Sequence, residues 1–274
     1  FEENRMTDVI TSEIIDQEIC LIKLNRPDTL NSLNKTLVDS LYKSIDKCEK
    51  NDSIRSIILT GNGRGFCAGA DLANGGWPTE DGWSAGKATA NAMEIGFNPL
   101  VRKIVNSKKP VINAINGIAA GGGVGLALCG DIVIASEKAK FKLVFGPQLG
   151  IIPDVGASWL VPNLIGRAKA NGLALLGDDL DAKQAYDWGL IWQVVKDEDL
   201  LPEAIKIAKR IANSAITGLK AVVKAHDKAL VSTLDEQLNY ERDTQEIFCN
   251  KDEFKEGVRA FLEKRKPNFK DIKN

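Results

Sequence analysis

The chain has 274 residues, enough for one large domain or two smaller ones around a full-sized core. With 44% hydrophobic and 27% charged residues, its composition is ordinary for a soluble globular protein. Lys plus Arg (36) nearly cancels Asp plus Glu (37), so there is no electrostatic reason to expect nucleic acid as the main partner.

Residues 1–8 are acidic and polar, so no secretory signal is expected, and Met6 reads as a natural start after residues 1–5. Ile19-Cys-Leu-Ile-Lys-Leu24 reads as a short buried strand closed by the turn-prone Asn25-Arg26-Pro27. Over residues 33–49 apolar side chains at 33, 37, 38, 41 and 45 form a helical stripe. A second β-branched strand over 54–60 ends at Gly61-Asn62-Gly63. Residues 74–98, rich in Gly, Trp and Ala with weak periodicity, are expected to form a mobile loop or lid. A helix near 99–107, a strand over 111–115, a glycine turn, a helix near 122–129 and a strand over 131–135 follow. The longest apolar run, 111–135, is broken by Asn113, Asn116 and glycines, and no run reaches the roughly 20 residues of a membrane span.

Strands alternating with helices imply parallel βαβ units. After Pro153 the pattern is helical over 156–164, 167–176, 182–188, 203–213, 215–230, 234–249 and 252–264. The five cysteines (20, 48, 67, 129, 249) are scattered without CxxC spacing, so neither disulfides nor a zinc site is expected, and a cytoplasmic protein with reduced thiols is.

Two segments carry chemistry: Phe66-Cys67-Ala68-Gly69-Ala70-Asp71 and Ala119-Ala120-Gly121-Gly122-Gly123-Val124-Gly125. Each follows an apolar strand and puts small residues where a helix can begin, leaving backbone N–H groups open to an approaching oxygen. Side by side they would suit a carbonyl becoming an oxyanion. Alone they read more readily as tight strand-to-helix turns. Neither Gly61–Phe66 nor Gly121–Leu126 completes GxGxxG, and GxxxxGK[ST] is absent, so the phosphate-cradle readings are poor. The one histidine, His226, sits on a surface-patterned helix and there is no GxSxG, which disfavours a Ser–His nucleophile. Cys67, without a histidine partner, reads as a packing residue. Asp154, in Leu149-Gly-Ile-Ile-Pro-Asp-Val-Gly156, is either an N-terminal helix residue favoured by the dipole or a general base in an apolar setting.

Taken together, these segments resemble the crotonase (enoyl-CoA hydratase/isomerase) superfamily. The resemblance spans nearly the whole chain: Leu24-Asn-Arg-Pro-Asp-Thr-Leu-Asn-Ser-Leu33, Gly65-Phe-Cys-Ala-Gly-Ala-Asp-Leu72, Ile115-Asn-Gly-Ile-Ala-Ala-Gly-Gly-Gly123 and the tail 257–269. It implies an α/β crotonase-type spiral of ββα units (residues 6–200) with a helical C-terminal trimerisation region (201–274). It implies an oxyanion hole from the N–H groups of Ala70 and Gly122, and an acyl-CoA thioester as substrate. Coenzyme A enters as part of that substrate, with no separate cofactor and no metal. The CoA-binding residues so implied are Arg26, Leu30 and Ser32 in the first turn, Ala68, Asp71 and Leu72 in the second, and Phe261 and Lys264 reaching a neighbouring subunit's coenzyme A. Asp28 stands where hydratases often carry a lysine near the phosphates. The implied partner is a second copy, as trimer or hexamer, with another subunit of the superfamily as the alternative.

Hydratases of this kind use two glutamates. Here the first would fall at Gly125 and the second near Gly146, so simple hydration is disfavoured. Asp154 instead resembles the single aspartate of the ring-1,2-epoxyphenylacetyl-CoA isomerase branch of phenylacetate degradation. Gly150-Ile-Ile-Pro-Asp-Val-Gly156, Gly166-Arg-Ala, Gly189-Leu-Ile-Trp-Gln-Val-Val195, Asn98-Pro-Leu-Val-Arg102 and Tyr240-Glu-Arg-Asp243 fit that branch. Ring-epoxide or 3,2-enoyl-CoA isomerisation is therefore expected. The alternatives are a hydratase drawing a second acid from Glu80, Asp81 or Glu94, or a non-catalytic CoA-binding subunit. A 4-chlorobenzoyl-CoA dehalogenase would need a lid histidine, and residues 74–98 have none. Trp77 and Trp83 are candidates for contacting an aromatic acyl group or for anchoring the loop.

Overall fold

The computed structural model describes residues 8–272, so the expected start at Met6 lies outside the described residues. The chain opens on a hairpin of β1 (Ile10–Ile15) and β2 (Ile19–Leu24), joined through Asp16 and Gln17 at φ of 50° and 64°. Positive φ at both central positions matches the right-handed twist of the strands. A long helix, α1 (Lys35–Lys50), follows; the Asn34 side chain caps it by accepting the Leu37 N–H, and Leu37, Val38, Leu41, Ile45 and Cys48 are buried.

Three repeats of one unit come next, each a strand of a large sheet, a short strand of a small sheet, then helix. The first is β3 (Ser56–Gly61), β4 (Gly65–Cys67), α2 (Ala85–Ala92) and α3 (Asn98–Val105). The second is β5 (Val111–Ile115), β6 (Ile118–Ala120) and α4 (Gly122–Leu128). The third is β7 (Ile132–Ser136), β8 (Lys140–Lys142) and α5 (Ala157–Leu176), which kinks at Gly166. The chain continues through β9 (Leu180–Asp181), α6 (Ala182–Asp187), β10 (Gln193–Val195), α7 (Leu200–Ala212), α8 (Ile216–Ala229), α9 (Leu234–Cys249) and α10 (Asp252–Leu262).

The large sheet has the order β1-β2-β3-β5-β7-β10, parallel except for β1 with β2; the small one has the order β4-β6-β8-β9. Both faces of the large sheet are covered, which is why its strands read as continuous apolar runs. Ile19, Leu21, Ile58, Ile112, Ala114 and Ile134 pack under Leu200, Ala204, Ile207 and Ala208 of α7. Alternate residues Cys20, Ile22, Leu24, Ile57, Leu59 and Ile115 face the main core with α1 and α4. Helix α7 thus lies across the sheet, Arg55 holds its end and the turn that follows by donating to the Ala212 and Ser214 carbonyls, and α8 is tied on by the Lys220–Asp131 ion pair (2.6 Å).

Residues 74–98 are not a loop throughout. Helix runs from Ala85, and a π-helical turn (Met93–Phe97) leads straight into α3. Alanine-rich sequence with Ser84 accepting the Lys87 N–H favours that helix despite its weak apolar stripe. Trp77 packs on Phe97 with ring centroids 4.8 Å apart, and a Cβ on Gly96 would lie 2.2 Å from the Trp77 ring. Trp77 therefore anchors the chain before α2. No helix among the described residues is long and apolar enough to cross a membrane.

Candidate active site

Strands β4, β6 and β8 run parallel side by side, with Cys67 opposite Ala119 and Ala120 opposite Lys142. Their carboxyl ends release three loops at one edge: residues 68–72, the Gly121–Gly122 turn, and residues 143–156. Crevices at such ends collect groups from several loops.

The first two loops touch. Gly69 has φ of 90°, and a Cβ there would lie 2.8 Å from the Ala120 carbonyl and 3.1 Å from the Gly122 nitrogen. Only glycine permits that approach. Leu33 N–H donates to Gly69 C=O (2.7 Å) and Asp71 N–H to Leu33 C=O (3.0 Å), a parallel bridge that turns the Ala70 N–H away from Leu33. That N–H meets no acceptor among the described residues. Gly122 is the first residue of α4, after Gly121 at φ of 53°, and its N–H likewise has no acceptor among the described residues. Asn113, wholly buried, donates to the Leu126 and Ala127 carbonyls and so fixes the far end of α4.

Asp154 enters from the third loop. Its carbonyl accepts the Ala157 N–H (2.9 Å) at the start of α5. Its Oδ1 lies 3.3 Å from the point where a Gly122 side chain would begin, which puts the carboxylate beside the first residue of α4. Burial pushes its carboxyl above the ordinary aspartate value of 3.8, opposed by its own backbone N–H. No cation pairs with it among the described residues. The next two residues are both left-handed, Val155 at φ of 51° and Gly156 at 83°. A buried β-branched residue in that region costs about 1–3 kcal/mol and persists only where its surroundings enforce it.

The remaining acids are elsewhere. A Cβ on Gly125 would lie 2.1 Å from the Val155 carbonyl oxygen, so that position is closed to any side chain. Gly146 lies in an exposed π-helical turn. Glu80, Asp81 and Glu94 are exposed, and Glu80 accepts the Trp83 indole N–H (3.1 Å). Burial pushes the Cys67 thiol up to about 12, which removes it as a nucleophile at neutral pH. His226 is exposed on α8.

The first turn is built around an ion pair. Arg26 donates to Asp71 Oδ2 (2.8 Å) and to the Ser32 carbonyl (2.6 Å), and Asp71 Oδ1 accepts the Asn74 N–H. Leu30 C=O accepts the Ala68 N–H (2.9 Å) from a left-handed backbone shared with Asn31. Arg26, Leu30, Ser32, Ala68 and Asp71 therefore lie together, and Leu72 is 80% exposed beside them. Phe261 and Lys264 are not brought to this place. Phe261 is 82% exposed on α10 and lines an apolar groove of about 440 Å³ with Phe248, Phe254 and Phe269.

The sequence matches the enoyl-CoA hydratase/isomerase family over residues 14–273. It is 45% identical over 255 residues, 93% of this chain and 96% of the relative, to the 1,2-epoxyphenylacetyl-CoA isomerase of Escherichia coli (strain K12). The crotonyl-CoA hydratase of Syntrophomonas wolfei is 33% identical, covering 93% of this chain and 95% of its own. Among solved structures, an enoyl-CoA hydratase from Bacillus anthracis superposes with a TM-score of 0.86 at 32% identity, covering 96% and 99% of the two chains.

The chain belongs to the enoyl-CoA hydratase/isomerase family. Its crotonase-type fold and its place among enzymes that process coenzyme A thioesters follow from that membership. Two residues that shape this candidate site have little or no signal in the sequence. Asn31 is buried and bonds through both ends of its amide, donating to the Asn62 and Gly65 carbonyls and accepting the Arg26 N–H. Its one signal is an asparagine next to a turn, a residue type that tolerates positive φ. Val155 has no signal at all, since β-branched residues are depleted at positive φ.

Proposed function

We propose that this protein is a CoA-thioester isomerase in which the Ala70 and Gly122 N–H groups hold the thioester oxygen and Asp154 carries the proton. The observation that supports this most is the single half-buried carboxylate beside Gly122, with position 125 closed by Val155.

With the thioester carbonyl between the two donors, Asp154 removes the proton on the carbon next to it. The C–H electron pair moves toward the carbonyl, and the resulting oxyanion is held by backbone dipoles at the start of α4. Losing one such donor typically costs about 3–4 kcal/mol of transition-state stabilisation. In a 3-enoyl-CoA the double-bond electrons then shift, and the γ-carbon takes the proton back from Asp154. No water is consumed. A carboxyl pushed upward by burial suits both halves, being a better base when ionised and still able to hold the proton it must return. Hydration instead needs one group to activate water and another to protonate the α-carbon.

The 45% identity to the Escherichia coli epoxyphenylacetyl-CoA isomerase supports a ring epoxide of phenylacetyl-CoA as a second substrate. Purified protein should convert 3-enoyl-CoA or the ring epoxide and leave the enoyl absorbance of crotonyl-CoA largely unchanged. Rapid loss of that absorbance would assign hydration instead. Binding without turnover of any of the three would assign a non-catalytic CoA-binding subunit.

We further propose that coenzyme A lies along residues 26–32 and 68–72, and that α8–α10 mediate a trimer or hexamer in which Phe261 and Lys264 reach a neighbour's coenzyme A. The exposed Phe254, Phe261 and Leu262, which line one apolar groove, support this, since contiguous apolar surface marks contact faces. Light scattering should give three or six times 29.8 kDa, and a monomer would refute it.

A further inference from the structure

Position 125 is not an empty place left by a lost acid. Gly122 and Gly125 are three residues apart, one above the other on a face of α4. Both meet Val155: a Cβ on Gly122 would lie 2.8 Å from Val155 Cγ2, and one on Gly125 would lie 2.1 Å from its carbonyl oxygen and 3.1 Å from its Cβ. Two bare positions make a groove in the helix, and the Val155 peptide and side chain fill it. Val155 is 3% exposed and keeps a φ of 51° that valine avoids, so the groove dictates its conformation.

We propose that Gly125 and Val155 are positioning residues: the groove on α4 seats the Val155 peptide, and that seat aims Asp154, one residue earlier, at the atoms beside the Gly122 N–H. This rests on the reading of Asp154 as the proton carrier. The absence of a carboxylate at 125 and the presence of one at 154 are then a single structural fact. A glutamate placed at 125 does not recover hydration, because its Cβ needs the space of the Val155 carbonyl and expels the turn that carries Asp154.

Val155→Gly, Gly125→Ala and Gly125→Glu in the whole chain, in whatever assembly it forms, test this, read as kcat against pH with 3-enoyl-CoA, dissociation constant for a saturated acyl-CoA, and melting temperature. Glycine holds the left-handed turn without strain, so Val155→Gly keeps the fold while loosening the seat. It should lower kcat about 10-fold or more, since small misplacements of reacting groups are costly. It should also move the acidic limb of the kcat profile down toward the ordinary carboxylate range as Asp154 gains water, with acyl-CoA affinity nearly unchanged. Gly125→Ala should lower kcat further, and Gly125→Glu should show neither isomerisation nor crotonyl-CoA hydration. A Val155→Gly protein with wild-type kcat and an unmoved limb overturns the proposal, as does a Gly125→Glu protein that hydrates crotonyl-CoA. Full activity of Asp154→Asn would instead sink the underlying reading, whatever these variants do.

Discussion

Asp154→Asn should lose turnover of 3-enoyl-CoA by about 10²–10⁴-fold, the range expected when a positioned proton carrier is removed. Asparagine keeps the shape and cannot take up the proton, so acyl-CoA affinity should stay within a few-fold of wild type. Stability should move the other way. Burial raises the Asp154 carboxyl in the folded state, so its favourable contribution is present only below the unfolded value near 3.8 and is lost as pH rises through the folded one. At neutral pH the wild type therefore carries a half-buried, unpaired carboxylate that the amide lacks. The variant should melt above wild type at pH 7, and the difference should shrink on acidification. A site that gives up stability for chemistry behaves in this way. An equal or lower melting temperature at pH 7 would mean that the carboxylate is held by favourable contacts instead of being strained by burial.

Arg26→Ala should be among the most damaging surface-loop substitutions in the protein. The Arg26–Asp71 pair is only 15% and 7% exposed, and Arg26 also binds the Ser32 carbonyl. Breaking a buried pair by removing one partner costs about 3–5 kcal/mol, because it strands the other charge. Asp71 follows Ala70 directly, so the same change should disturb the proposed oxyanion donor and raise KM for acyl-CoA. Burial alone would push the Asp71 carboxyl up, but the Arg26 guanidinium and the Asn74 and Ala73 N–H groups together hold it below the usual range. A depressed carboxyl contributes stability above its unfolded value near 3.8 and loses it as pH falls. Wild-type unfolding should thus steepen on acidification, and Asp71→Asn should flatten that dependence. Urea denaturation of the variants between pH 3 and 7 measures both effects. An Arg26→Ala protein as stable as wild type would show that the two turns do not depend on the pair.

What the sequence revealed follows from how each feature is encoded. Buried strands such as β2 and the apolar stripe of α1 are written in side-chain chemistry, and they appear where periodicity puts them. The glycine turns at 69 and 121–122 are legible because left-handed backbone at 69 and 121, close backbone approach at 69 and the packed Val155 side chain at 122 all favour glycine. The small sheet was hidden, since β4, β6 and β8 are three residues each and read as parts of turns. Strand β1 was hidden too: as a polar edge strand it shows no apolar alternation. Asp154 stood out by its setting, but its neighbour Val155 did not. Its left-handed backbone is imposed by a groove on a helix about thirty residues earlier in the chain, and no local pattern carries such information.

Hydrogen exchange on the substrate tests the central claim, a backbone-held enolate whose proton moves through Asp154, most directly. Phenylacetyl-CoA, which has acidic α-protons and nothing to isomerise, would be incubated with enzyme in D₂O and followed by NMR. Wild type should replace the α-protons with deuterium, while Asp154→Asn binds the thioester and exchanges none above the solvent rate. Equal exchange by both proteins, or none by a wild type that binds the thioester, would contradict the account.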